Sequence, residues 1–356
     1  MEMSVSPSSQ FWTGKRVLVT GHTGFKGGWL VLMLNRLGAE VTGISLAPNS
    51  QPNLFGMANV ADECESHFCD IRDRDGLARL VTAARPEVVL HLAAQPLVRA
   101  SYREPVETFA ANVMGTIHLL DALRAVSDCR AAVMITTDKV YENREWSWPY
   151  REIDALGGHD PYSASKAACE TAIASYRRAF LEQNGLAVAS ARAGNVIGGG
   201  DWSEDRLLPD AIRAWHKGAA LEIRNPASTR PWQHVLEPLT AYLTLAQALW
   251  SQPELAQAWN FGPNPTDNAP VRAVIDIAKS AWGAGAAVEY GNAGGPHEAG
   301  RLSLDIAKAT DILGVRPRWT LNEAVTRTVN WYRDALAGAS ARALCEADIQ
   351  AWEASL

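Results

Sequence analysis

The chain has 356 residues, of which 47% are hydrophobic and 20% charged, with a formal net charge of −6. That apolar content excludes an intrinsically disordered protein, and the acidic balance argues against a general nucleic-acid binder while leaving room for a local basic pocket. The length suits one large domain or two closely packed ones.

Residues 1–12 (MEMSVSPSSQFW) have no basic n-region and no apolar h-region, so no signal peptide is expected. No apolar run reaches the roughly 18 residues of a membrane span. Arg16–Gly21 (RVLVTG) reads as a buried strand, and Gly28–Leu37 as a helix with Leu30, Met33, Leu34 and Leu37 on one face. Glu40–Leu46 is the next strand, and a third ends before Asp70. A helix follows at Asp75–Ala84, a strand at Val88–Leu92, and a long helix from about Pro105 to Val126. Ala132–Thr137, Tyr162–Glu182 and Ala187–Ala193 read as strand, long helix and strand.

Strands that are apolar on both faces and alternate with helices predict an α/β fold with a doubly wound parallel sheet of Rossmann type. After Gly194 the alternation stops, and Pro and Trp become frequent. The expected division is a dinucleotide-binding domain over 12–194, a smaller mixed substrate domain over 195–335 that can cross back to the sheet, and a helical tail over 336–356. The cysteines at 64, 69, 129, 169 and 345 form no CxxC pair and lack His partners at metal spacing. They read as reduced structural thiols of a cytoplasmic protein, with no metal site.

Gly21-His22-Thr23-Gly24-Phe25-Lys26-Gly27 joins the first strand to the first helix. Glycines permit a tight turn there, and the helix N-terminus attracts a pyrophosphate. The spacing is GxxGxxG, and its neighbours on both sides suit a dinucleotide loop. The acid that grips an adenosine ribose about 20 residues on is missing, because the second strand ends in Ser45-Leu46-Ala47-Pro48-Asn49. NAD is the expected cofactor, with NADP left open. Lys26 and His22 either favour an extra phosphate or only flank the pyrophosphate. Asp70 and Ile71 suit an adenine contact, unless Asp70 caps a helix.

Tyr162 and Lys166 stand four apart at the start of a helix, on one face. A nearby ammonium favours phenolate and lowers the tyrosine pKa. Such a tyrosine can take a proton from a sugar hydroxyl as hydride leaves the same carbon. The strand at 132–137 ends Thr136-Thr137-Asp138-Lys139, and chemistry in a doubly wound sheet sits at the C-terminal ends of strands. An acid and a potential base side by side are what an elimination needs.

These motifs together resemble the extended short-chain dehydrogenase/reductase superfamily. More narrowly, GHTGFKG at 21–27, TTDKVYEN at 136–143, RAGNVIGGGDW at 192–202, TRPWQHVLEPL at 229–239 and HEAGRLSLDIAKA at 297–309 resemble the CDP-D-glucose 4,6-dehydratase family. The resemblance covers about residues 10–335. It implies that Tyr162, with Lys166, deprotonates a sugar 4-OH while C4 gives hydride to NAD, and that Thr137 holds that oxygen. It further implies loss of water across C5 and C6, with Asp138 protonating the departing 6-OH and hydride returning to C6. Related dehydratases acting on dTDP-glucose and GDP-mannose carry Glu where Lys139 stands. Lys139 is therefore either the C5 base, if its pKa is lowered, or the holder of a water that serves.

The resemblance also places Leu92, Ala93 and Ala94 beside the cofactor, and Gln95, Asn195, Asp201, Trp202, Arg206, Arg230 and Glu298 on the substrate side. Guanidinium forks match diphosphate oxygens, hence the two arginines. Trp202 and Trp232 are candidate pocket walls, Trp319 reads as packing, and Asn112 as a holder of local backbone. His91 reads as a satisfied core histidine. The implied partners are a nucleotide sugar and a second copy of the chain, paired through the helices near 105–126 and 162–182, with no nucleic acid or membrane. Two rival readings share the glycine loop. A nucleotide-sugar 4-epimerase would not need Asp138 and Lys139, and a non-catalytic dinucleotide-binding protein would not need the Tyr–Lys pair.

Overall fold

The computed structural model describes residues 6–291 and 300–355. Its centre is a seven-stranded sheet built from β1 (Arg16–Thr20), β2 (Glu40–Ser45), β3 (Glu65–Phe68), β4 (Val88–His91), β5 (Ala131–Ile135), β6 (Ala187–Ala193) and β7 (Ala258–Phe261). The order is β7-β6-β5-β4-β1-β2-β3, and every neighbouring pair is parallel. Strand order reverses between β1 and β4, which opens a crevice at their C-terminal ends.

The period of two along each strand sends alternate residues to two cores. Val17, Val19, Val88, Leu90, Val133 and Ile135 face one core. It also takes α1 (Phe25–Arg36), α6 (Leu236–Ser251), α8 (Leu321–Leu336) and α9 (Ala341–Ala354). Leu18, Val89, Ala132 and Met134 face the other. It packs on α2 (Arg74–Ala84), the long helix α3 spanning Pro105–Leu123, and α4 (Pro161–Tyr176). Between them in the chain come α5 (Leu207–His216) and α7 (Val271–Trp282).

Three elements differ from the sequence expectation. Helix α1 begins at Phe25, inside the glycine motif, because Gly24 takes the extended N-cap position. Helix α3 is not uniform: Ala110–Met114 forms a π turn between two α segments. Helix α4 likewise passes into a π turn at Arg177–Leu181. Beyond Gly194 the chain returns to the sheet as β7, at the edge beside β6.

Short pairings then bring distant segments to the sheet's C-terminal edge. Trp232–His234 pairs with Asn195–Ile197, just past β6. Isolated bridges join Tyr150 to Leu304 and Thr229 to Arg301. Helix α9 closes the first core with Ala341, Cys345, Ile349 and Trp352, which recur on one face.

Candidate active site

The glycine loop is shaped by two close approaches. Gly21 has φ +80°, and a Cβ there would meet the Ala93 nitrogen at 2.8 Å. A Cβ on Gly27 would stand 2.0 Å from the Gly21 carbonyl oxygen, so α1 can cross the loop only as glycine. Leu92 N–H donates to the Thr20 carbonyl at 3.1 Å, and Ala93 N–H to the Thr20 hydroxyl at 3.2 Å. Ala94 follows directly in the same segment. The tips of β1 and β4 are thereby locked together. No side chain caps the N-terminus of α1, and no acid stands in its first turn. A helix end left in this way, over a glycine cradle, fits a dinucleotide pyrophosphate.

The residues around the loop are mostly engaged. Thr23 bonds to the Ser45 hydroxyl and the Leu46 carbonyl, both at 2.8 Å. His22 bonds to the Ser66 hydroxyl at 2.7 Å, and burial pushes its pKa down to about 4. It is therefore neutral and offers no charge to an extra phosphate. Lys26 instead donates to the Tyr242 hydroxyl at 2.9 Å. The Phe25 ring lies against Gly198. His91 has both ring nitrogens satisfied, by Thr20 and Thr116, in line with a core histidine.

Asp70 does not cap a helix. Both of its oxygens accept from the Arg72 guanidinium, and that pairing holds its pKa below the usual carboxylate range. The cap of α2 is Asp73, which accepts from Gly76 N–H at 3.0 Å. Ile71 is buried beneath Gly115, where a Cβ would collide with it at 2.4 Å.

The reaction centre joins the tip of β5 to the start of α4. Asp160 caps that helix by accepting from Ser163 N–H at 2.9 Å, and Pro161 occupies its first turn. Tyr162 is fixed further by its N–H, which donates to Ser101 Oγ at 3.1 Å. Burial pushes the Tyr162 phenol up to about 12, opposed by hydrogen bonding to Thr137 and by Arg206. The lowering expected from Lys166 is absent. Its Nζ donates to the Ile135 carbonyl at 3.2 Å, and burial lowers its own pKa.

Thr137 also donates to Asp138 Oδ1 at 3.0 Å. Asp138 Oδ2 is buried and has no hydrogen-bond partner among the described residues. A catalytic role is one explanation for a buried oxygen left in that state. Burial, Arg230 and Arg206 lower the Lys139 pKa against the pull of Asp138 and Asp160. Arg206 also acts on Tyr162 and Lys26, so Arg206 and Arg230 converge with Lys139 on one chamber.

Beneath this centre lies a network the sequence reading missed. Arg192 and Glu170 form a buried ion pair at 2.9 Å. Glu170 also accepts from Thr136 Oγ1 at 2.6 Å and Ser190 Oγ at 2.7 Å. Arg192 donates to the Tyr141 hydroxyl at 2.8 Å, and Tyr141 donates to Asn260 Oδ1 at 2.7 Å. Burial opposes the Glu170 charge, but Arg192 and the two hydroxyls hold its pKa below the usual range. The only sequence signal was an Arg inside an otherwise small, apolar strand.

Other expected site residues also make contacts within the fold. The Gln95 amide donates to Thr108 Oγ1 at 2.9 Å and accepts from Leu97 N–H at 2.6 Å. Asn112, in the π turn of α3, bonds to the Gln95 backbone and to Ser165. Asp201 accepts from Ser203 N–H at 3.1 Å, and Trp202 packs edge-on against Tyr332 at 5.1 Å. Trp232 is buried and donates to the Ala269 carbonyl, and Trp319 packs against His234 and Trp352. Asn195 is half-buried at the start of its short strand beside β6. Arg206 donates to the Pro96 carbonyl at 3.3 Å, and Arg230 to the Thr229 carbonyl at 2.9 Å. Glu298 lies outside the described residues.

A model of the NAD dependent epimerase/dehydratase family matches residues 17–262. The chain belongs to that family. Among curated relatives, a CDP-glucose 4,6-dehydratase of Salmonella typhimurium (strain LT2) is 48% identical over 329 residues, covering 91% of this chain and 92% of that protein. A dTDP-glucose 4,6-dehydratase of Xanthomonas campestris is 28% identical over 88% of this chain and 92% of its own length. A solved dTDP-glucose 4,6-dehydratase of Streptomyces venezuelae, with NAD bound, superposes with a TM-score of 0.78. It is 25% identical and covers 90% of this chain and 98% of its own. The cofactor of this family member is NAD, consistent with the neutral His22 and the inward-turned Lys26.

Glu170→Ala would leave Arg192 buried without its carboxylate. We expect the unfolding free energy to fall by about 3–5 kcal/mol, measured by urea denaturation. A change below about 1 kcal/mol would show that the pair does not hold the site.

Proposed function

We propose that the chain is a CDP-glucose 4,6-dehydratase, a hydro-lyase that converts CDP-D-glucose to CDP-4-keto-6-deoxy-D-glucose and water. The observation that carries this reading is Asp138 beside Lys139 at the tip of β5, within the same chamber as Tyr162 and Lys166. The 48% identity to the Salmonella enzyme supports the base and sugar assigned. An epimerase would leave the Asp138–Lys139 pair without a task.

The residue roles are those that the family resemblance implies. The glycine loop and the α1 N-terminus hold the pyrophosphate, and Lys166 the nicotinamide ribose. NAD, when bound, supplies the hydride acceptor at sugar C4 and the hydride donor at C6. Tyr162 takes the 4-OH proton, and Thr137 steadies that oxygen. The Tyr162 phenol is pushed up to about 12 by burial, with Asp138 and Asp160 adding to the rise, so Thr137 and Arg206, which oppose it, must favour the phenolate during turnover. The 4-ketone acidifies C5–H. Lys139, whose pKa is lowered by burial and by two arginines, takes that proton as a neutral amine. Asp138 gives a proton to the 6-OH as it leaves; Lys139 gives its proton back to C5 as hydride reaches C6, and exchange with water carries the Tyr162 proton away and restores that of Asp138. Arg206 and Arg230 take the diphosphate.

The five cysteines are free thiols, which suits the cytoplasm. Among the described residues, no helix is long and apolar enough to cross a membrane. Val106, Phe109 and Met114 are exposed along one helix, at 75%, 39% and 45%. They support pairing of two copies through α3.

Purified protein with NAD should release water from CDP-glucose, and not from dTDP-, UDP- or GDP-glucose, with no net NADH, as read by mass spectrometry. Water loss from dTDP-glucose instead would keep the mechanism and discard the base assignment. A new sugar of equal mass would indicate epimerisation. Separately, Lys139→Ala should slow exchange of the C5 proton with deuterium oxide by about 10²–10⁴-fold. In the wild type, that exchange should quicken as pH rises toward the lowered lysine pKa. Unimpaired exchange in the variant would remove Lys139 as the base.

A further inference from the structure

The turn that carries Asp138 and Lys139 is clamped at both ends by one buried ion pair. Thr136 precedes the turn and Tyr141 follows it; between them Asp138–Val140 forms a short helical turn capped by Thr137. At the near end, Thr136 Oγ1 donates to Glu170 at 2.6 Å. At the far end, the Tyr141 hydroxyl accepts from Arg192 at 2.8 Å. Arg192 and Glu170 are themselves joined by two hydrogen bonds, of 3.0 and 2.9 Å. The two clamps thus share one anchor, half on β6 and half on α4.

Tyr141 is fixed on every side. A guanidinium can only donate, so the Tyr141 hydroxyl that accepts from Arg192 must donate elsewhere, and it does so to Asn260 Oδ1 at 2.7 Å. Asn260 is held in turn, because its side-chain amide donates to the Tyr150 and Asp305 carbonyls. The Tyr141 ring stacks on Tyr150, with centroids 5.0 Å apart and planes 17° from parallel. Val140 and Tyr141 share a small core with Ala167 of α4, Leu302 and Leu304. The reactive carboxylate has no such support. Asp138 Oδ1 bonds to Thr137 inside the turn, and Oδ2 has no partner among the described residues. Where that carboxylate points is therefore set by the two ends of the turn.

We propose that Tyr141 is a positioning residue for the elimination half of the reaction: its hydroxyl, locked between Arg192 and Asn260, keeps Asp138 and Lys139 in reach of sugar C6 and C5. The proposal rests on the dehydratase reading. Oxidation moves hydride from C4 to NAD and the 4-OH proton to Tyr162, which stands with Lys166 on α4. Thr137, which serves that step, lies at the Thr136 end of the turn. Elimination moves the C5 proton to Lys139, breaks the C6–O bond and releases water with the proton of Asp138. Both of those groups lie toward the Tyr141 end. A misplacement of about 1 Å in a reacting group costs about 10²-fold in rate, so freeing the far end slows elimination while oxidation continues.

The test is Tyr141→Phe in the full chain, which keeps the ring and its stacking and removes only the hydroxyl. CDP-glucose is mixed rapidly with the NAD-loaded protein, and the absorbance of bound NADH is followed through one turnover. Its rise reports oxidation, and its decay reports elimination followed by hydride return. In Tyr141→Phe the rise should match wild type and the decay should slow by about 10- to 100-fold, so bound NADH builds up above the wild-type level. The KM for CDP-glucose should stay unchanged while kcat falls. Asn260→Ser keeps Tyr141 but withdraws its acceptor, and should show the same pattern; it serves as the readout if Tyr141→Phe does not fold. An unchanged decay, or rise and decay slowed alike, would overturn the proposal. Failure of the wild type to dehydrate CDP-glucose would instead overturn the dehydratase reading.

Discussion

The Arg192–Glu170 ion pair is the constraint on which the site depends. It joins β6 to α4 and, through Thr136, to the tip of β5. One side of the pair thus fixes the strand end that carries Thr137, Asp138 and Lys139. The other fixes the helix that carries Tyr162 and Lys166. Arg192 also reaches Tyr141, and Tyr141 reaches Asn260 on β7. Buried charges are costly unless fully paired, and here the carboxylate accepts from an arginine and two hydroxyls. Slippage of either element would leave those groups unpaired, so the network holds a single geometry.

Above this node the chamber gathers cations. Lys26, Lys139, Lys166, Arg206 and Arg230 come from five separate places in the chain, and several depress one another's protonation. A net charge of −6 for the whole chain hides this local excess. The chamber suits ligands that carry diphosphates, and a dinucleotide and a nucleotide sugar both do. Burial first, then Arg230 and Arg206, also lower the Lys139 pKa.

The sheet was legible because its strands are apolar on both faces and its turns are marked by glycine. The glycine loop, the Tyr162–Lys166 helix and the Thr137–Asp138–Lys139 tip could be placed from local spacing alone. What escaped was non-local. Glu170 sits on α4 as one polar residue among many, and nothing in its spacing points to Arg192. The strand β7, four residues long, lies beyond a stretch without periodicity. Nor does the sequence show that Arg72 folds back onto Asp70. Spacing likewise does not show that the Gln95 amide bonds to Thr108 and Leu97, or that the Trp202 ring packs on Tyr332. The upward shift at Tyr162 is hidden for a similar reason: spacing shows proximity to Lys166 but not the burial that raises the phenol.

The central claim is a closed redox cycle on one sugar, in which the hydride removed at C4 returns at C6. CDP-glucose carrying deuterium at C4 tests it most directly. The expected product is a 4-keto-6-deoxy sugar with the deuterium at C6, one water lost and no NADH released. Deuterium retained at C4 of an isomeric sugar, or a product without the label, would contradict it.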